Sequence, residues 1–273
     1  MHPAIQQILS LTKKRIQLLK AQPEPCSENK SQFCSFQKRD FAASVAAAKT
    51  AGKIPLIAEI KPASPEKKFR EVPPDKAAEF AKEMEAAGAV ALSVLTEPEI
   101  FQGTLENLKR VRKAVSLPVL RKDFLIDESQ LGEVESDLVL LIAGLLKVKL
   151  PAFVELAQSK GFEPLVEVHT LEELEMALST PAKIIGINNR DFKTMEIRLE
   201  TTEKLAPLLR KHDQKKKTSH IIVSESGIYG PKEIKRALFA GADVLLVGSS
   251  IMESESLFEK TRELVQSLPA WRW

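Results

Sequence analysis

Eight short apolar runs, each followed by a segment that can hold a helix, set the first constraint on this chain. The runs are IPLIAEI (54–60), VALSVLT (90–96), LPVLRKD (117–123), LVLLIA (138–143), PLVEV (164–168), IIGINN (184–189), HIIVSES (220–226) and DVLLVGS (243–249). The helical patterns among them include DKAAEFAKEMEAAG, TLENLKRVRKAV, LPAFVELAQSKG, TLEELEMAL, GPKEIKRALFAG and SLFEKTRELVQSL. Strands alternating with helices build βαβ units and a parallel sheet. Eight such units in 273 residues point to a closed α/β barrel, the (β/α)8 or TIM architecture of roughly 250 residues, rather than an open doubly wound sheet. Only 5% of residues are aromatic, which suits strands buried on both faces and built from Val, Ile and Leu. Gly88, Gly161 and Gly241 each end a helical pattern just before a run, where glycine accepts the left-handed turn that caps a helix.

Ahead of the first run, Ile5, Ile8, Leu9, Leu11, Ile16 and Leu19 carry the spacing of an amphipathic helix. Residues 21–39, with Pro23 and Pro25, read as a loop, and a second helix is expected from about Asp40 to Thr50. The chain is thus read as one domain, 1–273, with a helical extension at 1–52 and the barrel at 53–273. The 40 basic and 37 acidic residues nearly cancel to +3, too balanced to call for nucleic acid or a membrane as partner. The densest basic run, KHDQKKK at 211–217, reads as a solvated loop. No apolar run reaches the ~18 residues of a membrane helix. The first twenty residues lack the continuous apolar core of a secretory signal. Cys26 and Cys34 are expected to be free thiols in a reducing cytoplasm.

Where the runs stop being apolar is more informative. Glu59 and Lys61 follow the first, Lys122 and Asp123 the third, and Glu167 ends the fifth. Asn188 and Arg190 follow the sixth, and Ser224, Glu225 and Ser226 the seventh; Gly248 and Ser249 follow the eighth. Barrel active sites lie at the C-terminal ends of the strands. Any one of these residues alone reads equally well as a loop residue or half of a rim ion pair, as Glu59 with Lys61 would be by period two. Their recurrence at one face points to proton transfer, because so many charges there are costly unless they serve one another. The ESG at 225–227 and VGSS at 247–250 follow the last two runs, the place where barrel enzymes bind phosphate through glycine N–H groups and hydroxyls.

Several stretches together resemble one family, the indole-3-glycerol-phosphate synthases. They are IAEIKPASP (57–65), VLTEPEIFQGTLENL (94–108), PVLRKDFLID (118–127), LVEVHTLEEL (165–174), IGINNRDF (185–192), VSESGI (223–228) and LLVGSSIM (245–252). They run through the barrel in order, and the two N-terminal helices resemble the extension that caps this family's barrel. The resemblance implies closure of an indole ring on 1-(2-carboxyphenylamino)-1-deoxyribulose 5-phosphate, with loss of carbon dioxide and water. No metal or organic cofactor is expected, and the small phosphorylated substrate is the expected partner of a monomer or weak homodimer. The resemblance also assigns residues. Lys122 would be the general acid of ring closure, and Glu167 would steer it and exchange protons. Glu59 and Lys61 would assist dehydration, with Lys61 also near the phosphate. Asn188 would orient the substrate, while Arg190 and Glu225 would complete the charge network. Phosphate contacts would come from Ser64, Ser226, Gly227, Gly248 and Ser249. Phe124 and Phe101 would pack on the anthranilate ring, although either suits a plain core.

Two segments depart from the family pattern. The loop after the first run usually reads close to EIKRASPSKG; here it is EIKPASPEKKFR. Glu66 would repel a phosphate if it faced inward. It is expected to face solvent, offset by Lys67, Lys68 and Arg70, and a raised Michaelis constant is expected from this loop. The segment 128–138 is about three residues shorter than expected and contains Gly132, so its helix should be short or irregular. The rival readings are another phosphate-binding barrel of the same pathway, such as phosphoribosylanthranilate isomerase or the tryptophan synthase α subunit, and a non-catalytic barrel. The first two lack the pairing of EIK with KDF. The third leaves the charged strand ends unexplained.

Overall fold

A computed structural model describes residues 2–21 and 38–268. Cys26, Cys34 and most of the loop expected at 21–39 lie outside these residues. Eight parallel strands close a barrel: β1 (Leu56–Ile60), β2 (Ala91–Leu95), β3 (Val119–Lys122), β4 (Leu138–Ile142), β5 (Glu163–Val168), β6 (Ile184–Asn188), β7 (Ile221–Glu225) and β8 (Val244–Val247). Each strand pairs with its sequence neighbours, and β8 closes on β1 with Leu56 opposite Leu245. All eight apolar runs therefore form strands, and Gly88, Gly161 and Gly241 take positive φ at the helix ends.

Alternation along the strands divides the core in two. Leu56, Ala58 and Ile60 of β1 face the surrounding helices with Ala77, Ala81 and Met84. Ile57 lies in the inner layer with Leu120, Leu165 and Val223. Because side chains alternate with period two, Glu59, Lys122, Glu167, Asn188 and Glu225 fall on the inward face, two or four residues beyond inner-layer apolar positions of their own strands. Their convergence is a consequence of strand register.

The two N-terminal helices serve opposite ends of the barrel. α1 (Pro3–Ala21) lies across the C-terminal ends of the strands: Arg15 Nη2 meets Asp123 Oδ1 at 2.9 Å and Lys20 Nζ meets Asp127 Oδ2 at 2.7 Å. α2 (Phe41–Thr50), capped by Asp40, packs at the other end, where Lys49 Nζ reaches Asp243 at 2.6 Å, just ahead of β8. Ile5 and Ile8 of α1, and Phe41 and Val45 of α2, join the inner apolar layer. The helices between strands start at side-chain caps such as Thr104, Thr170 and Ser256, each accepting from the backbone N–H three residues on, as helix N-termini require.

Two segments test the expectations directly. Between β3 and β4 only a 3-10 turn forms, Glu128–Gly132, capped by Asp127 and by the Gln130 side chain, as the short segment with its glycine implies. The basic run at 211–217 differs from expectation: residues up to Lys216 complete the helix Glu200–Lys216. The reason is Asp213, whose buried carboxylate accepts from His220 N at 3.0 Å and Thr218 Oγ1 at 2.8 Å and so anchors the last turn. The lysines around it remain solvated.

At the barrel's N-terminal end, fully buried Asp137 joins several elements. It accepts from Val119 N at 2.9 Å, Arg39 N at 3.0 Å and Arg112 Nη2 at 3.3 Å. Removing one partner of a buried ion pair leaves uncompensated charge. Asp137→Ala is expected to lower unfolding stability by about 3–5 kcal/mol, read as a shift in the urea midpoint at neutral pH.

Candidate active site

Lys122, at the inward C-terminal end of β3, is the centre of the charged cluster. Its ammonium donates to Glu167 Oε2 of β5 at 3.0 Å and makes a short contact with Glu225 Oε2 of β7. Glu59 of β1 accepts from Ser93 Oγ of β2 at 3.0 Å and stands 3.5 Å from Lys61 Nζ. Lys61 also donates to Ser249 Oγ at 2.9 Å. The carboxylates are almost wholly enclosed, with Glu59, Glu167 and Glu225 exposed by 4%, 2% and 1%. Removing such groups from water is costly unless each finds a counter-charge, and Lys122 and Lys61 supply it.

Enclosure tunes these groups in different directions. For Lys122, burial favours the neutral amine, but Glu167, Glu225 and Glu59 outweigh it and hold the ammonium. For Lys61, burial dominates and the pKa falls, despite Glu59; Arg190 and Lys122 push the same way. Glu225 is pushed up to about 7, by burial first and then by Glu167 and Glu59, with Lys122 opposing. Glu167 is also raised by burial, but Lys122, His169 and Asn188 bring it below the usual carboxylate range. Carboxyls pushed apart in this way divide acid and base work. Glu225 Oε1 is buried without a hydrogen-bond partner.

Two glycines make room for the carboxylates. A Cβ on Gly186, at an inward position of β6, would stand 2.3 Å from Glu225 Oε1 and 2.6 Å from Leu165 Cδ2. A Cβ on Gly248 would stand 2.5 Å from Glu59 Oε1. Gly248 was singled out in the sequence for phosphate; its space requirement toward Glu59 is a second constraint. Gly186 was not singled out, and glycine within an otherwise apolar strand, a mark of close approach, was the available signal.

The cluster forms one wall of a cavity. Phe101, Phe124, Ile5, Leu140, Ile142 and Phe192 form the apolar side, with the rings of Phe101 and Phe124 6.1 Å apart. A second hollow adjoins it and shares Glu59, Lys61, Arg190 and Ser226. There the two glycine loops face each other, Ser226 and Gly227 on one side and Gly248 and Ser249 on the other. Ser226 and Gly227 both take positive φ, 68° and 80°, a conformation that turns successive N–H groups into an anion-binding concavity. Asn189 pins this loop, donating to Ser224 Oγ, Glu225 O and Ser226 O at 3.2, 2.9 and 3.0 Å. Ser64 is not brought to this hollow. It lines the larger cavity, and its hydroxyl donates to Lys67 O at 3.3 Å, because Ala63–Ser64 and Lys67–Lys68 fold into a small hairpin.

The polar residues at strand ends thus divide. Asp123 turns away from Lys122 toward Arg121, Arg15 and Thr96, at 3.0, 2.9 and 2.8 Å. Ser224 bonds outward to Asn189 and Thr202. Both support the site from behind. Among the described residues, no group of three or more His, Cys, Asp or Glu side chains could hold a metal ion.

A family model described as Indole-3-glycerol phosphate synthase matches residues 5–264. This chain belongs to that family. It is 46% identical over 217 residues to the indole-3-glycerol phosphate synthase of Methanocaldococcus jannaschii, covering 78% of each chain. It is 40% identical over 247 residues to that of Aquifex aeolicus, covering 89% of this chain and 90% of the relative. Among solved structures it resembles a thiamine phosphate pyrophosphorylase from Pyrococcus furiosus with a TM-score of 0.56 at 19% identity, over 77% of this chain and 93% of the other. That likeness reaches the barrel fold alone.

The loop that departs from the family pattern keeps Glu66 exposed, as expected, but the cation that offsets it is a different one. Glu66 faces Arg190, whose Nη1 lies 3.2 and 3.3 Å from its two carboxylate oxygens. The nearby cations are engaged elsewhere: Lys67 with Glu253, Lys68 with Glu71, and Arg70 with the carbonyls of Met252 and Ser254. Glu66 therefore engages a cation that lines both cavities and competes there with an arriving anion. An exposed pair of this kind is worth up to about 1 kcal/mol. Glu66→Ser is expected to lower KM by about 2- to 5-fold with kcat unchanged in steady-state assays. Gly186→Ala, by contrast, is expected to leave the fold intact and lower kcat at least about tenfold, because the added methyl displaces Glu225.

Proposed function

We propose that this chain converts 1-(2-carboxyphenylamino)-1-deoxyribulose 5-phosphate to indole-3-glycerol phosphate, as an indole-3-glycerol phosphate synthase, with Lys122 as the general acid of ring closure. The observation that carries the assignment is the ammonium of Lys122 between Glu167 and Glu225, in a cavity with an apolar wall on one side and the glycine–serine hollow beyond. The phosphate lies in that hollow against Ser226, Gly227, Gly248 and Ser249. The anthranilate ring packs against Phe124 and Phe101, and Asn188 and Arg190 orient the substrate's polar groups.

In this reading Lys122 protonates the ribulose carbonyl oxygen as the ring carbon attacks the carbonyl carbon. The ring carboxylate leaves as carbon dioxide, and its bonding electrons restore aromaticity. Glu167 holds the ammonium in line and exchanges protons with it. Dehydration follows: Lys61, its pKa lowered by burial, donates a proton to the departing hydroxyl, and Glu59 receives one. The substrate hydrogen-bonds to Glu225, completing the atom left unpartnered. Fixed charges in an enclosed site stabilise developing charge without reorganising. The same proposal takes residues 1–52 as an extension and 53–273 as the barrel of one domain. It acts in the cytoplasm as a monomer or weak homodimer, without a cofactor.

Incubation with the substrate should produce indole fluorescence. Lys122→Met should remove turnover by several orders of magnitude while circular dichroism and the melting transition stay near wild type. Turnover retained in that variant overturns the assignment of the acid.

A further inference from the structure

A buried imidazole that the proposed chemistry does not use sits directly behind Glu167. His169, the first residue past β5, is 6% exposed at its side chain, and its ring packs on Phe192 at 4.2 Å. Its Nδ1 lies 3.0 Å from Glu173 Oε2, and its Nε2 lies 3.4 Å from Glu167 Oε1. The His169 backbone N–H also donates to Glu173 Oε2, at 2.7 Å, so Glu173 is tied to both ends of the residue. Glu173 is confined in turn by Gly144, where an added Cβ would stand 2.3 Å from Glu173 Oε1. Four elements thus converge: the end of β5, the helix Leu171–Leu178, the loop after β6 that carries Phe192, and the turn after β4.

A neutral imidazole carries one N–H. Between two carboxylates it can satisfy one, leaving its other lone pair facing the second. Only the doubly protonated ring turns a positive edge to both, with Nδ1 at hydrogen-bond distance from Glu173 and Nε2, which makes no hydrogen bond, in electrostatic contact with Glu167 at 3.4 Å. We propose that His169, supported by Glu173 and Gly144, is a positioning residue that holds the Glu167 carboxylate in place beside Lys122 as a proton acceptor.

The charges around the ring agree. Burial works against the imidazolium, but Glu173, Glu167 and Glu225 outweigh it and the His169 pKa rises above its usual value. Asp191, on the loop after β6, feels the His169 charge and that of Lys193, both of which act to lower its pKa. Lys122 is the other cation acting on Glu167. His169 touches no reacting atom; it sets the orientation and ionisation of the residue that does. The inference rests on Glu167 acting as an acid/base group.

The test compares pH profiles of kcat in the full-length enzyme. Sign follows from charge: without the His169 cation, Glu167 binds its proton more readily. In His169→Asn the acid limb of kcat therefore moves to higher pH, by about one unit, while KM stays near wild type. In Glu173→Gln the ring still carries its proton on the acid side, so that limb stays in place. The imidazole instead releases its proton about one pH unit earlier, followed by NMR of the ring, and kcat falls several-fold across the same interval. An acid limb in His169→Asn that coincides with wild type, or a Glu173→Gln profile that ignores the displaced imidazole titration, overturns the proposal. Should His169→Asn fail to fold, Glu173→Gln decides alone, since it keeps the side chain's shape. Glu167→Gln separates the two readings: if it turns over normally, the role of Glu167 itself fails. If it is inactive while the other two profiles match wild type, only the role of His169 fails.

Discussion

The ammonium of Lys122 between two enclosed carboxylates is the interaction on which the rest of the structure depends. Three glutamates and two lysines at the end of a barrel cannot be desolvated singly; they are tolerable only as a set whose members neutralise one another. The set requires specific neighbours. Gly186 and Gly248 leave the space that Glu225 and Glu59 occupy, and Ser93 supplies a donor to Glu59 from the adjoining strand. Burial and the neighbouring carboxylates raise Glu225, while Lys122 and His169 hold Glu167 low, so the two carboxyls part in opposite directions.

Behind this layer lies another that faces outward from the same strands. Arg121, fully buried one residue before Lys122, binds Asp123, Glu133 and the carbonyl of Gln130, at 3.0, 2.6 and 2.5 Å. Asp123 continues the chain to Arg15 of α1. The strand end that carries Lys122 is thereby gripped from the N-terminal helix and from the 3-10 turn that stands where a longer helix was absent. Asn189 performs the matching task beside Asn188, fixing the loop after β7. Alternation places the chemistry inward and its fastenings outward at consecutive residues.

The loop after β1 connects this chain's individuality to its binding surface. Its hairpin carries Ser64 toward the larger cavity and Glu66 onto Arg190, so a carboxylate of the protein engages a cation that lines both hollows. Charge alone suggested that Glu66 would be offset by its lysine neighbours. The hairpin turns those lysines toward Glu253 and Glu71 instead.

The fold was legible in the sequence because the period of the apolar pattern is a local property: eight runs, eight strands, in order. The inward identity of Glu59, Lys122, Glu167, Asn188 and Glu225 was legible for the same reason, since strand alternation is set residue by residue. Other features were not, because they depend on distances between segments far apart in the chain. The pairing of Lys122 with Glu225 spans 103 residues, that of Glu66 with Arg190 spans 124, and the placement of α2 at the opposite end of the barrel from α1 rests on contacts to the starts of distant strands. The sequence by itself determined which groups would gather at one end of the barrel. Tertiary structure decided which of them pair, which merely brace the others, and that His169 stands behind Glu167, since ionisation in an enclosed site follows from burial and neighbouring charge.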